Sequence, residues 1–194
     1  ITGDKNWKGV MALYSEKIDI KNTTIRGGTG GDVVGIYFSA SLGLYNSNNT
    51  FISSLRVESS LADDSIHFKN SSVYFENIEV VDSVGDGIDF DRVEGGGKNL
   101  KVFKALGDGI DFYASHFKLA HVHIVESFDK CISIGEKSEI QLVKAFLKKC
   151  GTGIAVKDES ILRVKEWNIS ESIKKLALYR TSFVFVNDGV IIYE

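Results

Sequence analysis

Asp64, Asp86 and Asp108 stand 22 residues apart, and Asp89 and Asp111 repeat the same interval. His67 precedes Asp89 by 22 residues, and Asp91 lies two residues beyond Asp89. Carboxylates can pass protons to and from a glycosidic oxygen, or ligate a hard cation. Either use requires the chain to bring them side by side. The elements that carry them therefore have to be read first.

A short β-like motif recurs at the same interval: Ser65-Ile66-His67-Phe68, Gly87-Ile88-Asp89-Phe90, Gly109-Ile110-Asp111-Phe112, Cys131-Ile132-Ser133-Ile134, Gly153-Ile154-Ala155-Val156 and Lys175-Leu176-Ala177-Leu178. Looser copies at Gly9-Val10-Met11-Ala12 and Gly35-Ile36-Tyr37-Phe38 leave room for an insertion around Ser41 to Asn49. Each period holds two further alternating segments, such as Phe117-x-Leu119 and Val122-x-Ile124. Period-two alternation marks a short strand with one buried face. Three strands in 22 residues leave only turns between them. The pattern predicts an all-β fold, a right-handed parallel β-helix of about eight rungs, forming one domain over residues 1–194. A leucine-rich repeat shares the period, but it leaves the Gly-Ile-Asp-Phe segment unexplained, and Leu does not dominate the motif.

This register places Val10, Ile36, Ile66, Ile88, Ile110, Ile132, Ile154 and Leu176 in one inward column. Phe38, Phe68, Phe90 and Phe112 form an aromatic column beside it, continued by Ile134, Val156 and Leu178. Asn22, Asn77 and Asn99 form an expected turn ladder. Gly9, Gly35, Gly87, Gly109 and Gly153 are expected to permit bends. Cys131 and Cys150 are too few for a disulfide scaffold and are read as buried thiols.

Asp89 and Asp111 lie between inward residues, so they face outward on neighbouring rungs, roughly 5 Å apart. Asp91 shares their face, beside Lys69 and Tyr113. Like charges this close need a proton, a cation or a substrate between them. Three uses compete: paired carboxylates hydrolysing a glycosidic bond, carboxylates holding Ca²⁺, or a solvated acidic ladder eased by His67, Lys69 and Lys130. His121 and His123 read as solvated surface groups, and Glu136, Lys137, Lys157 and Asp158 as cross-strand ion pairs. Trp7, Tyr14 and Tyr45 offer sugar-stacking rings, while Trp167 falls at an inward position.

Composition narrows the classes. Apolar residues make up 43 % and charged residues 25 %, enough for a core. Proline is absent and the net charge is −3, which argues against a nucleic-acid-binding surface. No apolar run approaches the ~18 residues of a membrane span.

Laid out in these columns, the chain resembles the pectate-lyase-like superfamily of right-handed β-helix proteins from Trp7-Lys8-Gly9-Val10 onward. GDGIDF at Gly85–Phe90 and again at Gly107–Phe112, DKCISIGEKS from Asp129 and GIAVKDES from Gly153 are similar to β-helix segments of bacterial surface or secreted proteins. Some of those accompany a spore-coat-protein-H-like module. The resemblance extends loosely to polygalacturonases: Gly107-Asp108 stands where Thr-Asp of an Asn-Thr-Asp motif would be, and Asp129-Lys130 replaces Asp-Asp. Their His-Gly and Arg-x-Lys motifs have no counterpart here. A lyase-type elimination would find its base in Lys69 or Lys130.

The resemblance implies an extracellular or envelope-associated protein that engages polysaccharide or oligosaccharide. If it is an enzyme, it is a glycoside hydrolase or polysaccharide lyase. Asp89, Asp111 and Asp91 would be catalytic, and Asp86, Asp108, His67, Lys69, Tyr113 and Lys130 would hold substrate. No cofactor is required, and Ca²⁺ is an optional ion. The alternative is a non-catalytic spacer or adhesive rod. Neither end shows the polar cap that a solenoid needs, so the chain is expected to be a segment of a longer protein with neighbouring domains.

Overall fold

A computed structural model describes residues 1–3 and 7–194, and every regular element among the described residues is a β-strand. Parallel pairing carries one face of a solenoid through Val10–Leu13, Ala40–Tyr45, Asp64–Lys69, Asp86–Asp91 and Ile110–Tyr113. It continues into the C-terminal parts of His116–Gly135 and Glu139–Lys157, and ends at Lys174–Tyr179. The other faces are built mainly by long strands that bend at the corners, including Ser72–Ser83, Glu94–Ala105 and Ile161–Ser170. Among the described residues, no helix is long and apolar enough to cross a membrane.

The solenoid has about six turns at the 22-residue spacing, fewer than the roughly eight rungs expected in all. The two N-terminal strands stack at longer intervals, because Val10 pairs with Leu42, and Leu42 with Ile66. Leu42 and Leu44 thus take the inward places expected of Ile36 and Phe38. Gly31–Val33 and Ile36–Phe38 form instead a small antiparallel hairpin outside the stack. The insertion precedes Ala40 and does not follow it. Ile36 is exposed there, and Phe38 is buried against Tyr45 with ring centroids 4.5 Å apart.

From Ile66 to Val156 the inward columns are as the repeat demands, whereas Leu176 and Leu178 in the last strand of this face are exposed. Phe68, Phe90 and Phe112 are fully buried, with successive ring centroids 5.3 and 4.8 Å apart. Phe117 leans on Phe90 from the next face at 4.8 Å. In-register stacking places identical side chains one above another, so each ring buries its neighbour's face.

The glycines and the corners differ from expectation. Ser59, Asp82, Lys104, Glu126, Lys149 and Glu171 form one corner column in left-handed conformation, with φ between 54° and 67°. Gly87, Gly109 and Gly153 do not bend the chain. They keep the interior open: a Cβ on Gly109 would stand 2.6 Å from the Cys131 carbonyl oxygen, and one on Gly153 2.6 Å from that of Lys175. The asparagine ladder is real at Asn99, whose amide donates to Asn77 Oδ1 at 3.0 Å.

Cys131 and Cys150 are joined by a disulfide, with Cα atoms 5.6 Å apart, and are not free thiols. They occupy equivalent places to Ser41–Ser60 and Ser65–Ser83, whose hydroxyls hydrogen-bond at 2.7 and 2.9 Å. The interior corner brings these two columns together in these turns, and one of them closes the gap covalently.

Candidate functional site

Strand register assembles the carboxylates. Asp89 pairs with His67 on one side and Asp111 on the other, and Asp91 pairs with Lys69 and Tyr113. Asp64 pairs with Asp86. Asp86 Oδ1 accepts the Asp108 amide at 2.6 Å, and Asp108 Oδ1 accepts the Lys130 amide at 2.9 Å. The Lys130 ammonium lies 3.2 Å from Asp108 Oδ1 and 2.5 Å from Asp129 Oδ2. The Asp64–Asp86–Asp108 column thus ends on a cation.

The irregular N-terminal coil walls this cluster. Gly43 precedes His67 in the outward column, and a Cβ there would meet the Phe38 ring at 2.8 Å. Its missing side chain lets Phe38 and Tyr45 close over the sheet. Ser39 Oγ donates to Asp64 Oδ2 at 2.6 Å and contacts His67 Nδ1 at 2.7 Å, while Tyr45 OH meets the same nitrogen at 2.9 Å. His67 Nε2 then lies 3.3 Å from Asp89 Oδ2. Only 6 % of His67 is exposed, so the expectation of a solvated ladder fails at this point.

Burial and like charge set the protonation. Desolvation, with Asp64, Asp111 and Asp91 nearby, pushes Asp89 up to about 9. Asp64 and Asp86 rise to about 7 and Asp108 to about 6, in each case chiefly through burial. Burial lowers His67 to about 4, so its imidazole is neutral at physiological pH. Burial also works to lower the Lys130 ammonium, but its contacts with Asp129 and Asp108 outweigh that and raise it. One carboxylate oxygen each of Asp89 and Asp111 is buried without a hydrogen-bond partner.

The remaining expected residues lie close by in different states. Asp91 is buried and pinned by Lys69 at 2.9 Å and Arg92 at 3.0 Å. Tyr113 is exposed, with the Arg92 guanidinium 5.6 Å from its ring centre. Sequence reasoning missed Ser39 and Arg92, and it read the buried Tyr45 as a sugar-stacking ring. Ser39 lies in the aperiodic N-terminal segment, and Tyr45 and Arg92 hold repeat positions whose residue type changes from turn to turn.

Other expectations resolve away from the cluster. His123 is no free surface group: it packs edge-on between Phe103 and Phe146, with centroids 5.5 and 4.8 Å away. Lys137 pairs with Glu159 rather than with the groups expected, and Asp158 accepts from Thr181. Two surface hollows, of about 260 and 460 Å³, lie on other faces, one beside Phe117 and Ile140 and the other beside Arg56 and Asn77.

Among the described residues, two groups of donors converge closely enough for an ion: Asp64, His67 and Asp89, and Asp86, Asp108 and Asp111, each offering atoms within 4.8 Å of one another. In the second group Lys130 already supplies the positive charge. Ca²⁺ wants six to eight oxygens, and here Asp86 and Asp108 have oxygens committed to main-chain amides.

Fold and site together define an all-β parallel solenoid with a half-buried carboxylate–imidazole cluster on one outer face. No known protein family, curated protein or solved structure matches the chain.

Proposed function

We propose that the chain engages an acidic polysaccharide or oligosaccharide through this face and cleaves a glycosidic bond with Asp89 as proton donor. The carrying observation is a carboxyl group held neutral to about pH 9 beside a second carboxylate, Asp111, in register on the next strand. An acid that keeps its proton at neutral pH can protonate a leaving oxygen. Neighbouring strands are about 4.8 Å apart, nearer the carboxylate separation of direct attack than that with a water between. Asp111 would attack the anomeric carbon as the C–O bond breaks and Asp89 gives its proton to the departing oxygen. Water then cleaves the glycosyl ester and returns a proton to Asp89.

Asp91 supports the pair from the same face, its carboxylate held by Lys69 and Arg92. Tyr113 offers an exposed ring for a sugar face, and Lys69, His67, Lys130, Asp86 and Asp108 frame the subsite. The chemistry requires no cofactor, and Ca²⁺ in the Asp86–Asp108–Asp111 group would have to displace Lys130. The resemblance to pectate-lyase-like β-helices supports an acidic glycan and an extracellular or envelope setting. The Cys131–Cys150 bridge supports an oxidising compartment.

A second reading, a non-catalytic rod within a larger surface protein, draws support from the two hollows lying off the acidic face. Release of reducing ends from uronate polymers separates the two. The wild-type chain should release them, and the Asp89→Asn/Asp111→Asn variant should be at least 10²-fold slower with an unchanged circular-dichroism spectrum. Equal rates would sink the acid–base pair. Binding without release by the wild-type chain would favour the rod.

A further inference from the structure

Ser39 has one hydroxyl proton, and it goes to Asp64 Oδ2 at 2.6 Å. Ser39 Oγ at 2.7 Å and Tyr45 OH at 2.9 Å both face His67 Nδ1, and with the imidazole hydrogen on Nδ1 both oxygens can accept it. That assignment leaves Nε2 bare. Its lone pair faces Asp89 Oδ2 at 3.3 Å, yet Nε2 has no hydrogen-bond partner. The His67 side chain is 92 % buried, as its 8 % exposure shows. An unpartnered, deeply buried nitrogen and a carboxylate oxygen thus look towards a common point.

The separation fits an ion. Two ligands at about 2.0–2.1 Å from a tetrahedral Zn²⁺ stand about 3.3–3.4 Å apart. Asp64 belongs to the same group, with an oxygen within 4.8 Å of a His67 ring nitrogen and of an Asp89 oxygen, and its Oδ2 accepts from Ser39. One imidazole with two carboxylates is a donor set for zinc rather than for calcium, which takes oxygen ligands in larger number. The contacts from Ser39 and Tyr45 to Nδ1 are the outer-shell bonds that orient a metal-binding imidazole.

We propose that Asp64, His67 and Asp89 form a binding site for one Zn²⁺-class divalent ion, with the fourth position open to water or a substrate oxygen. An ion here engages the oxygens of Asp89, so it would slow any cleavage that uses Asp89 as acid; that consequence alone rests on the reading above.

Calorimetric titration of Zn²⁺ into the intact chain should show one ion per chain. His67→Asn should abolish this binding, and Ser39→Ala should weaken it 10–100-fold. His121→Asn with His123→Asn should leave it unchanged. Anomalous diffraction at the zinc edge should place the ion between His67 Nε2 and Asp89. Circular dichroism reports whether His67→Asn folds; if it does not, Asp89→Asn takes its place as the variant that must lose the ion. The proposal is overturned by absent stoichiometric binding, by binding that survives loss of His67 or Asp89, or by loss on changing His121 and His123. Ca²⁺ binding as tight as that of Zn²⁺ would overturn it too, because an unselective acidic patch would then suffice. Zinc bound as described by a chain that cleaves no glycan retains the metal site and removes only the acid–base reading.

Discussion

Asp89 owes its neutrality first to burial, which the aperiodic wall helps to provide, and then to the like charges of Asp64, Asp111, Asp91 and Asp86. Changing it tests both. With the folded value near 9 and an unfolded value near ~3.9, the folded state binds this proton more tightly. Stability from Asp89 is therefore fully present below about pH 4 and is lost as pH rises towards 9. Asp89→Asn should stabilise the chain at pH 8 more than at pH 5, as read from urea midpoints at the two pH values. Tyr45→Phe removes one contact to His67 and leaves the ring. It should lower any activity that depends on the cluster while moving the melting temperature by only a few degrees. The alignment of Asp89 with Asp111 was legible in the sequence, because a parallel in-register stack turns an interval of 22 residues into a spatial neighbour. Ser39 and Tyr45 were not, since they come from the one coil that breaks the interval.

Within each turn, the strands owe their stability to side chains that repeat and to the space left for them. Phe112 touches Phe90 and Phe117 inside the stack, so Phe112→Ala should cost about 3–5 kcal/mol in chemical denaturation. Gly109 has main chain of the next turn against its Cβ position, and Gly109→Ala should cost about 1–3 kcal/mol through overpacking. The bridge closes a short loop, 19 residues in sequence separation, and such loops stabilise by about 3 kcal/mol. Cys131→Ser with Cys150→Ser should still fold, because Ser65 and Ser83 fill the same corner with a hydrogen bond. Its loss in stability should fall short of the full bridge value, and equilibrium unfolding of oxidised wild type against the double variant measures the difference. The cysteine pairing was hidden in the sequence because the two columns lie in different strands and meet only across a corner.

Across the whole molecule, the raised carboxylates act together. Asp64, Asp86, Asp89 and Asp108 all lose stability as pH rises, through folded values from about 6 to about 9. His67 opposes them only between about 4 and its ordinary value near ~6.5, where the unfolded imidazole holds the extra proton. The melting temperature should therefore fall from pH 6.5 to pH 9, and a flat profile across that range would contradict the buried cluster. The missing proline fits such a stack, in which ladder after ladder needs its N–H groups. The sequence by itself determined the all-β solenoid, the inward columns from Ile66 to Val156 and the vertical alignment of Asp64 with Asp86 and of Asp89 with Asp111, because all of these follow from periodicity. The tertiary structure alone decided the hairpin before Ala40, the wall of Phe38, Ser39 and Tyr45, the burial of His67 and the Cys131–Cys150 bridge. Those depend on where an aperiodic segment packs and on which columns meet across a corner, and neither is written as an interval along the chain.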